Sequence, residues 1–88
     1  ILYEYFSFFV KEISNNKLNI KIKKIEENDI RSLSISLLSG ITIIVGSSDI
    51  KKKINIFFKA YKTLNSSDLK KIRYIDMRYS NGFSIGWK

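Results

Sequence analysis

Three short segments with strand-type hydrophobic patterns constrain the fold most strongly. Residues 17–25 alternate Lys or Asn with apolar side chains, and residues 31–38 alternate Ser with apolar side chains. Such period-two alternation predicts strands with one buried face. Residues 41–45 form a β-branched run, which is typical of a more fully buried strand. The connections at 26–30 and 39–40 are short and rich in turn residues, so these three strands are expected to form an antiparallel meander.

The first sixteen residues show helical spacing instead. Apolar side chains recur at positions 1, 2, 5, 6, 9, 10 and 13, and this spacing places them on one broad face of a helix. The Asn15-Asn16 pair is a stop signal for a helix. The pattern predicts an N-terminal helix that packs against the core.

A second amphipathic helix is predicted after Gly46, which ends the third strand. Ser47 or Ser48 is expected to cap this helix, with Asp49 in its first turn. Its apolar stripe contains Ile50, Ile54, Phe57, Phe58, Tyr61 and Leu64. The lysines at 51, 52, 53, 59 and 62 fall largely off that stripe, so the Lys51–Lys53 triplet is predicted to be a solvated face.

The last quarter of the chain predicts a loop followed by a hairpin. Residues 65–68 indicate a loop, and residues 71–79 alternate as a strand. Asn81-Gly82 is a strong hairpin turn, since both residues tolerate positive φ, and residues 83–87 form the returning strand. Residues 1–88 are therefore predicted to be a single α+β domain. It has a mainly antiparallel sheet of about five strands, a long amphipathic helix on one face and an N-terminal helix.

The net charge of +8, from 16 basic and 8 acidic residues, is compatible with an acidic partner such as nucleic acid or anionic lipid. Ile, Lys and Asn are abundant, however, and their codons are AT-rich, so the charge also fits a bias of the genome. Aromatic residues alternate with lysines on the predicted strands, which keeps a basic nucleic-acid-binding domain as the alternative function. The glycine-flanked signature of sheet-based RNA readers is absent from the sequence.

Catalysis finds little support in the sequence. The chain has no histidine and no cysteine, and therefore lacks the commonest general base and the thiolate nucleophile. It contains no glycine-rich phosphate loop. Three of its eight acidic residues, Glu26, Glu27 and Asp29, cluster in a predicted turn, where solvated carboxylates are the ordinary interpretation. The protein is predicted not to be an enzyme and to need no cofactor or metal.

For the final strand, the sequence predicts only one neighbour, which is the preceding strand of the hairpin. If this strand lies at the border of the sheet, it offers free main-chain groups to which an extended segment of another protein could add as a further strand. If it does not, the hairpin merely closes the sheet. The hydrophobic pattern alone leaves both interpretations open.

Residues 72–88 resemble the C-terminal signature of the FtsQ/DivIB family of cell-division proteins. In that signature a hydrophobic-Asp-hydrophobic-Arg-Tyr run, here residues 74–79, precedes a turn that ends in glycine, here Gly82. A strand that ends in tryptophan, here Trp87, follows. The strand–Gly–helix stretch around Gly46 and the strand and turn at 31–40 resemble the family as well.

The resemblance implies a non-enzymatic scaffold domain of the bacterial division complex. Members are single-pass inner-membrane proteins that carry a POTRA domain followed by a β domain on the periplasmic side, at the division septum. This chain is then expected to be most of the β domain, without the membrane anchor or the POTRA domain. The implied partners are FtsB together with FtsL, and a segment of FtsB is expected to add as a strand along the last strand.

The resemblance also implies which residues contact the partner. Tyr79 matches the tyrosine that the family uses, and the surrounding surface comprises Arg31, Arg78, Asn81, Gly82, Phe83, Ser84, Ile85, Gly86 and Trp87. Arg78 and Tyr79 must point to opposite sides of the strand, so one is expected to face the partner and the other to brace the sheet. Asp76 is expected to pair with a basic residue of a neighbouring strand.

One position departs from the family pattern. Some members have an arginine where this sequence has Ile30, directly before the Arg31-Ser32 dipeptide. Either Arg31 takes over the expected ion pair with an acidic residue of FtsB, or that ion pair is missing here.

Overall fold

A computed structural model describes residues 2–80 and 82–88 of the chain. Three helices and five strands occur in these two ranges. In chain order they are α1 (Leu2–Asn15), β1 (Ile22–Glu27), β2 (Leu33–Leu37), β3 (Thr42–Gly46), α2 (Ile50–Tyr61), α3 (Ser66–Lys71), β4 (Ile72–Asp76) and β5 (Ser84–Trp87).

The strands form one sheet in the order β1-β2-β3-β4-β5. The meander of β1, β2 and β3 is antiparallel, as predicted. β3 and β4 are parallel, and β5 returns antiparallel to β4. A parallel pair needs a crossover connection, and α2 with α3 supplies it here. The predicted α+β fold with a mainly antiparallel sheet is confirmed.

The core lies between one face of the sheet and the helices. Alternate residues of β2, namely Leu33, Ile35 and Leu37, are buried as their spacing predicted. Above them Phe9 of α1 packs against Phe57 and Phe58 of α2, with ring centroids 5.8 and 4.9 Å away. These are ordinary distances for favourable aromatic pairs, so the two amphipathic helices meet through their aromatic side chains.

The first strand begins later than predicted. It spans Ile22–Glu27 instead of 17–25, and it includes the glutamates that were assigned to the following turn. Lys17 has a left-handed backbone with φ of 55°, and the Leu18 N–H donates to the Ile13 carbonyl at 3.1 Å. These residues therefore close the end of α1, in the manner of a left-handed helix terminus, and cannot join the sheet.

The prediction of a loop at 65–68 is wrong, because α3 begins there. The Asn65 side chain accepts a hydrogen bond from the Asp68 N–H at 2.8 Å, and the Asp68 carboxylate accepts one from the Asn65 N–H at 3.4 Å. This reciprocal pair is a capping box. The helix has only six residues and buries none of them fully, so it lacks the apolar stripe that reveals longer helices.

The start of α2 also differs from the prediction. Asp49 occupies the N-cap position with φ of 50°, outside the first turn, and no side chain caps the helix there. The Ser48 hydroxyl instead accepts a hydrogen bond from Lys53 Nζ at 3.4 Å. Lys53 is only 6% exposed, so the prediction of a solvated triplet is wrong for this residue. Lys51 and Lys52 are exposed as predicted.

Candidate docking edge

β5 lies at the border of the sheet and pairs with β4 alone. The Lys88 N–H extends this pairing by donating to the Lys71 carbonyl at 2.7 Å. In the part of the chain that the structure describes, no backbone or side-chain group bonds the outer side of β5. An edge strand directs alternate N–H and C=O groups outward, so β5 exposes the groups that strand addition needs. β5 is therefore an edge strand, which is one of the two alternatives that the hydrophobic pattern left open.

The two borders of the sheet differ in charge. β1, at the opposite border, carries Lys23, Lys24, Glu26 and Glu27, and Lys24 pairs with Glu26 at 3.4 Å. Charged side chains on an edge strand oppose pairing with another chain. β5 has the sequence Ser-Ile-Gly-Trp, with no charge and no proline. Of the two borders, β5 is therefore the one that a further strand could join.

Residues 79, 80 and 82–84 line a shallow cavity at the beginning of β5. The volume of this cavity is about 510 Å³. Its described lining is Tyr79, Ser80, Gly82, Phe83 and Ser84, which are all uncharged. The Tyr79 side chain is 54% exposed and that of Phe83 is 40% exposed. Exposed aromatic residues beside a concavity are common at the centres of protein interfaces.

The close packing of Tyr74 on Gly86 fixes β5 against β4. These residues are cross-strand partners, and a Cβ atom on Gly86 would overlap the Tyr74 ring. Only glycine leaves room for a ring at that distance. Trp87, the next residue, is 52% exposed and adds a third aromatic side chain to the edge.

Strict alternation along β4 predicted that Ile72 and Ile75 point to opposite faces, and this is wrong. Ile72 pairs with Trp87 and Tyr74 pairs with Gly86, so Arg73 is an extra residue on β4, as in a β-bulge. Ile72 and Ile75 are both buried as a result.

Arg78 braces the entrance to the hairpin. Asp76 is only 5% exposed, and its carboxylate accepts hydrogen bonds from Arg78 Nε at 2.9 Å and from Arg78 Nη2 at 2.7 Å. The expectation of a cross-strand partner for Asp76 is wrong, because its partner lies two residues along the same segment. Of the two candidate contacts, Arg78 is thus held by Asp76 although its side chain is 58% exposed, and Tyr79 is 54% exposed.

The electrostatics of this pair follow from its geometry. The hydrogen bonds from the Arg78 side chain lower the pKa of Asp76 below its usual value, and burial opposes this shift. The charge of Lys53 also lowers the Asp76 pKa. Because β3 and β4 are parallel, their last residues Gly46 and Asp76 lie at the same end of the sheet. The Nζ atom of the buried Lys53 lies at this end as well.

Lys53 is a residue of this region that the sequence reasoning missed. A signal for it exists, because Ile50, Lys53, Ile54 and Phe57 have the spacing of one buried helical face. A Cβ atom on Gly46 would lie 3.7 Å from Lys53 Nζ, which is an ordinary contact, and 3.1 Å from Arg78 Cγ, so both basic side chains lie close to Gly46.

Arg31 lies apart from the other site residues. It occupies the turn between β1 and β2 with φ of 60°, and its N–H donates to the Asn28 carbonyl at 2.9 Å. The turn lies at the same end of the sheet as Asp76, but three strand spacings, or about 14 Å, separate β2 from β5. The structure groups residues 78–80 and 82–87, and Asn81 lies outside the described residues.

No helix in residues 2–80 and 82–88 is long and apolar enough to cross a membrane. Within the same two ranges, no three His, Cys, Asp or Glu residues come together where they could hold a metal ion.

Comparison with known proteins identifies the family. Residues 5–78 match the family described as "Cell division protein FtsQ/DivIB, C-terminal". The chain is 34% identical over 71 residues to the cell division protein FtsQ of Vibrio cholerae, covering 81% of this chain and 27% of that protein. It is 33% identical over 60 residues to FtsQ of Escherichia coli, covering 65% of this chain and 22% of that protein.

The extent of these matches is limited in two ways. The chain spans about a quarter of the length of the curated relatives that it matches. The family match also ends at Arg78, so it does not include β5. It covers the other strands and nearly all of the helical residues, and the chain therefore belongs to the FtsQ/DivIB C-terminal family.

Proposed function

We propose that this chain is a non-enzymatic scaffold domain of the bacterial division complex, which docks a partner by β-strand addition at β5. The family to which it belongs consists of cell division proteins, and this supports a role in cell division. The observation that carries the docking mode is the uncharged edge strand, which has the Tyr79–Phe83 cavity at its beginning.

Strand addition assigns a distinct part to each element of the edge. A partner segment about 4.8 Å beyond β5 accepts hydrogen bonds from the N–H groups that face outward and donates hydrogen bonds to the outward C=O groups. An apolar side chain of that segment fills the cavity beside Tyr79 and Phe83. Arg78, held by Asp76, keeps the chain in position where it leaves the sheet and enters the hairpin.

The resemblance to the family supports FtsB, acting with FtsL, as the partner. It also supports a location at the division septum, on the periplasmic side of the inner membrane, in a longer protein that is anchored by a helix outside this chain. In that protein residues 1–88 form a single β domain. The chain spans only about a quarter of its relatives, so these statements about the whole protein belong to the proposal.

A calorimetric titration with the periplasmic segment of FtsB tests the proposed edge. The Tyr79→Ala variant is expected to bind about 30-fold more weakly, which corresponds to the loss of about 2 kcal/mol typical of a central tyrosine. Tyr3→Ala is the matched control, because Tyr3 is 78% exposed on α1. Thermal unfolding of both variants checks that they are folded. Equal affinities of Tyr79→Ala and Tyr3→Ala would contradict the proposal.

A further inference from the structure

Exposed lysines collect at one end of the sheet. At this end β1, β3 and β4 begin and β2 and β5 finish, as the strand pairs Ile22–Leu37 and Ile72–Trp87 show. We call it the basic end, and its exposed lysines are Lys17, Lys21, Lys62, Lys70, Lys71 and Lys88.

Two of the lysine pairs are tied to this end by the backbone. The Leu38 N–H donates a hydrogen bond to the Lys21 carbonyl at 2.8 Å, and the Lys88 N–H donates one to the Lys71 carbonyl at 2.7 Å. From β1 to β5 there are four strand spacings, or about 19 Å. The lysines therefore extend along the whole width of the sheet.

Helices α1 and α2 finish at the basic end as well. Lys62 directly follows α2, and its Nζ donates a hydrogen bond at 2.7 Å to the side chain of Asn16, which directly follows α1. Tyr61, the last residue of α2, lines a cavity together with Leu37 at the end of β2. Lys17 and Lys62 thus belong to the same surface as the lysines of the sheet.

The carboxylates near the basic end do not form ion pairs with these lysines. Glu12 accepts a hydrogen bond from the Asn15 side chain at 3.1 Å, and Asp68 accepts one from the Asn65 N–H at 3.4 Å in the capping box. Within residues 2–80 and 82–88, the cations that form ion pairs are others, namely Lys24, Lys51 and Arg78.

Most acidic residues lie towards the opposite end of the sheet. Glu4 belongs there because it pairs at 3.3 Å with Lys51, in the first turn of α2. The six acidic residues of that end are Glu4, Glu26, Glu27, Asp29, Asp49 and Asp76. The excess of lysine over carboxylate is therefore concentrated at the basic end.

An exposed leucine lies among the lysines. Leu38 occupies the turn between β2 and β3, and its side chain is 64% exposed. Two cavities, of about 330 and 320 Å³, adjoin this turn, and Ser39 and Tyr61 line both. The apolar side chains that complete their walls are Ile20, Leu37, Leu38, Ile41 and Leu69. The basic end thus combines cations with accessible apolar surface.

We propose that the basic end docks on the surface of an anionic lipid bilayer, with Leu38 in the headgroup region and the lysines facing the lipid phosphates. Apolar burial and attraction to anionic lipids add at a bilayer surface, and clusters of this many lysines bind anionic lipid. Long lysine side chains keep their ammonium groups at the level of the headgroups while their stems cover apolar surface.

The apolar component favours a bilayer over a nucleic acid. Proteins that bind single strands stack successive bases on several exposed aromatic rings. Among the described residues of the basic end, Trp87 is exposed and Tyr61 is only half-exposed. An exposed leucine gains nothing from a phosphate backbone in water, whereas a bilayer removes it from water.

Docking in this orientation leaves the β5 edge accessible. The strands then run away from the lipid surface, and the Tyr79–Phe83 cavity lies at the distant end of β5. Five residue steps separate Phe83 from Lys88, or about 17 Å of extended chain. The membrane contact is therefore independent of the proposed strand addition.

Sedimentation of the whole chain with lipid vesicles tests the proposal. One set of vesicles contains equal parts of phosphatidylglycerol and phosphatidylcholine, and the other contains phosphatidylcholine alone. The protein is expected to bind the anionic vesicles only, with an affinity that falls as salt is raised. Trp87 is the single tryptophan and precedes Lys88, so its fluorescence is expected to shift to shorter wavelength on binding.

A pair of double variants locates the charge effect. Lys70→Gln with Lys88→Gln is expected to weaken binding about 30-fold, from about fivefold for each lysine near an anionic surface. The control is Lys51→Gln with Lys52→Gln, at exposed positions about 15 Å along α2 from Tyr61. This distance exceeds the screening length of about 8 Å at physiological salt, so a loss below about threefold is expected.

A pair of single variants tests the apolar contact. Leu38→Asn is expected to weaken binding about three- to tenfold, because part of a leucine side chain leaves water in the docked state. Ile30→Asn is the matched control, since Ile30 is 76% exposed in the turn between β1 and β2, at the opposite end of the sheet. Thermal unfolding checks that each variant is folded.

Several outcomes would overturn the proposal. They are the absence of binding to the anionic vesicles at low salt, equal binding to the neutral vesicles, and equal losses in the two double variants or in the two single variants. Displacement from the vesicles by a single-stranded oligonucleotide at equal phosphate concentration would instead assign the basic end to nucleic acid. Because no segment of FtsB is present, these results are separate from the test of strand addition.

Discussion

The Arg78 guanidinium donates a bidentate pair of hydrogen bonds to the Asp76 carboxylate, from Nε at 2.9 Å and from Nη2 at 2.7 Å, although only one residue separates the two. The Arg78 N–H donates to the same carboxylate at 3.1 Å. The chain is therefore locked at the point where β4 ends and the hairpin begins. Because the following residue is the exposed Tyr79, the rigidity of this pair determines where the proposed contact residue lies.

Replacing Asp76 by Asn keeps the shape of the side chain and removes its charge. An amide can accept one hydrogen bond from Arg78, but its NH₂ group then faces a second donor. We expect a loss of about 1–3 kcal/mol in the free energy of unfolding, measured by urea denaturation at neutral pH. Asp29→Asn, at an exposed turn position, is the control and is expected to change stability little. Equal stability of the two variants would show that the pair contributes nothing.

The same pair makes stability depend on pH. The folded state has a lowered pKa at Asp76, so the folded protein holds the ionised form more strongly than the unfolded chain, whose value is about 3.9. The contribution is complete above that value and is lost as the pH falls through the folded pKa. Urea denaturation between about pH 5 and pH 2 is expected to show a steeper loss for the parent protein than for Asp76→Asn. Parallel curves would contradict this.

A third prediction concerns the buried lysine. The Lys53 charge contributes to the lowered pKa of Asp76, so Lys53→Met is expected to raise that pKa. The side-chain carboxyl carbon of Asp76, followed by NMR titration, reports the change directly. Lys52→Met removes an equal charge from an exposed position of the same helix and is expected to have a smaller effect. An unchanged titration in Lys53→Met would show that the two groups do not interact.

The fourth prediction uses the contact between Gly86 and Tyr74. A methyl group at Gly86 would overlap the Tyr74 ring, so Gly86→Ala is expected to cost about 1–3 kcal/mol in thermal or urea unfolding. Adding Tyr74→Ala to that variant removes the overlap and is expected to recover part of the loss, because mutations of contacting residues are not additive. Gly82→Ala is the control, since a Cβ there meets no atom within 4 Å among the described residues. Additive losses would mean that the ring moves aside freely.

Alternation and helical spacing predicted the elements whose buried face is regular. β2 is the clearest case, because Leu33, Ile35 and Leu37 are buried and the serines between them are not. Elsewhere the alternation rule gave wrong strand bounds or faces, because the backbone departs locally from regular strand geometry. The extra residue Arg73 shifts the alternation of β4, and the left-handed Lys17 delays β1. Neither residue type is one that reveals such a conformation from the sequence.

The candidate site was predictable to a similar extent. Residues two apart on a strand share a face. The pairing of Asp76 with Arg78 could therefore have been predicted from their spacing, although a cross-strand partner was expected. The edge position of β5 was not, because it depends on the parallel pairing of β3 with β4. The cavity that Ile41, Tyr61 and Leu69 line also depends on tertiary structure, since these residues lie on separate elements.

The last prediction addresses the alternative function in nucleic-acid binding. Sheet-based RNA readers stack bases on two or three aromatic residues of a bare sheet face. In the described part of this sheet, the row that contains Tyr74 continues through Ser36, Thr42 and Gly86, which offers one aromatic ring. We therefore expect no measurable binding of a generic single-stranded oligonucleotide near physiological salt, as measured by fluorescence anisotropy. Binding that persists there, and falls linearly in log affinity with log salt, would instead reveal several phosphate contacts and would favour the alternative.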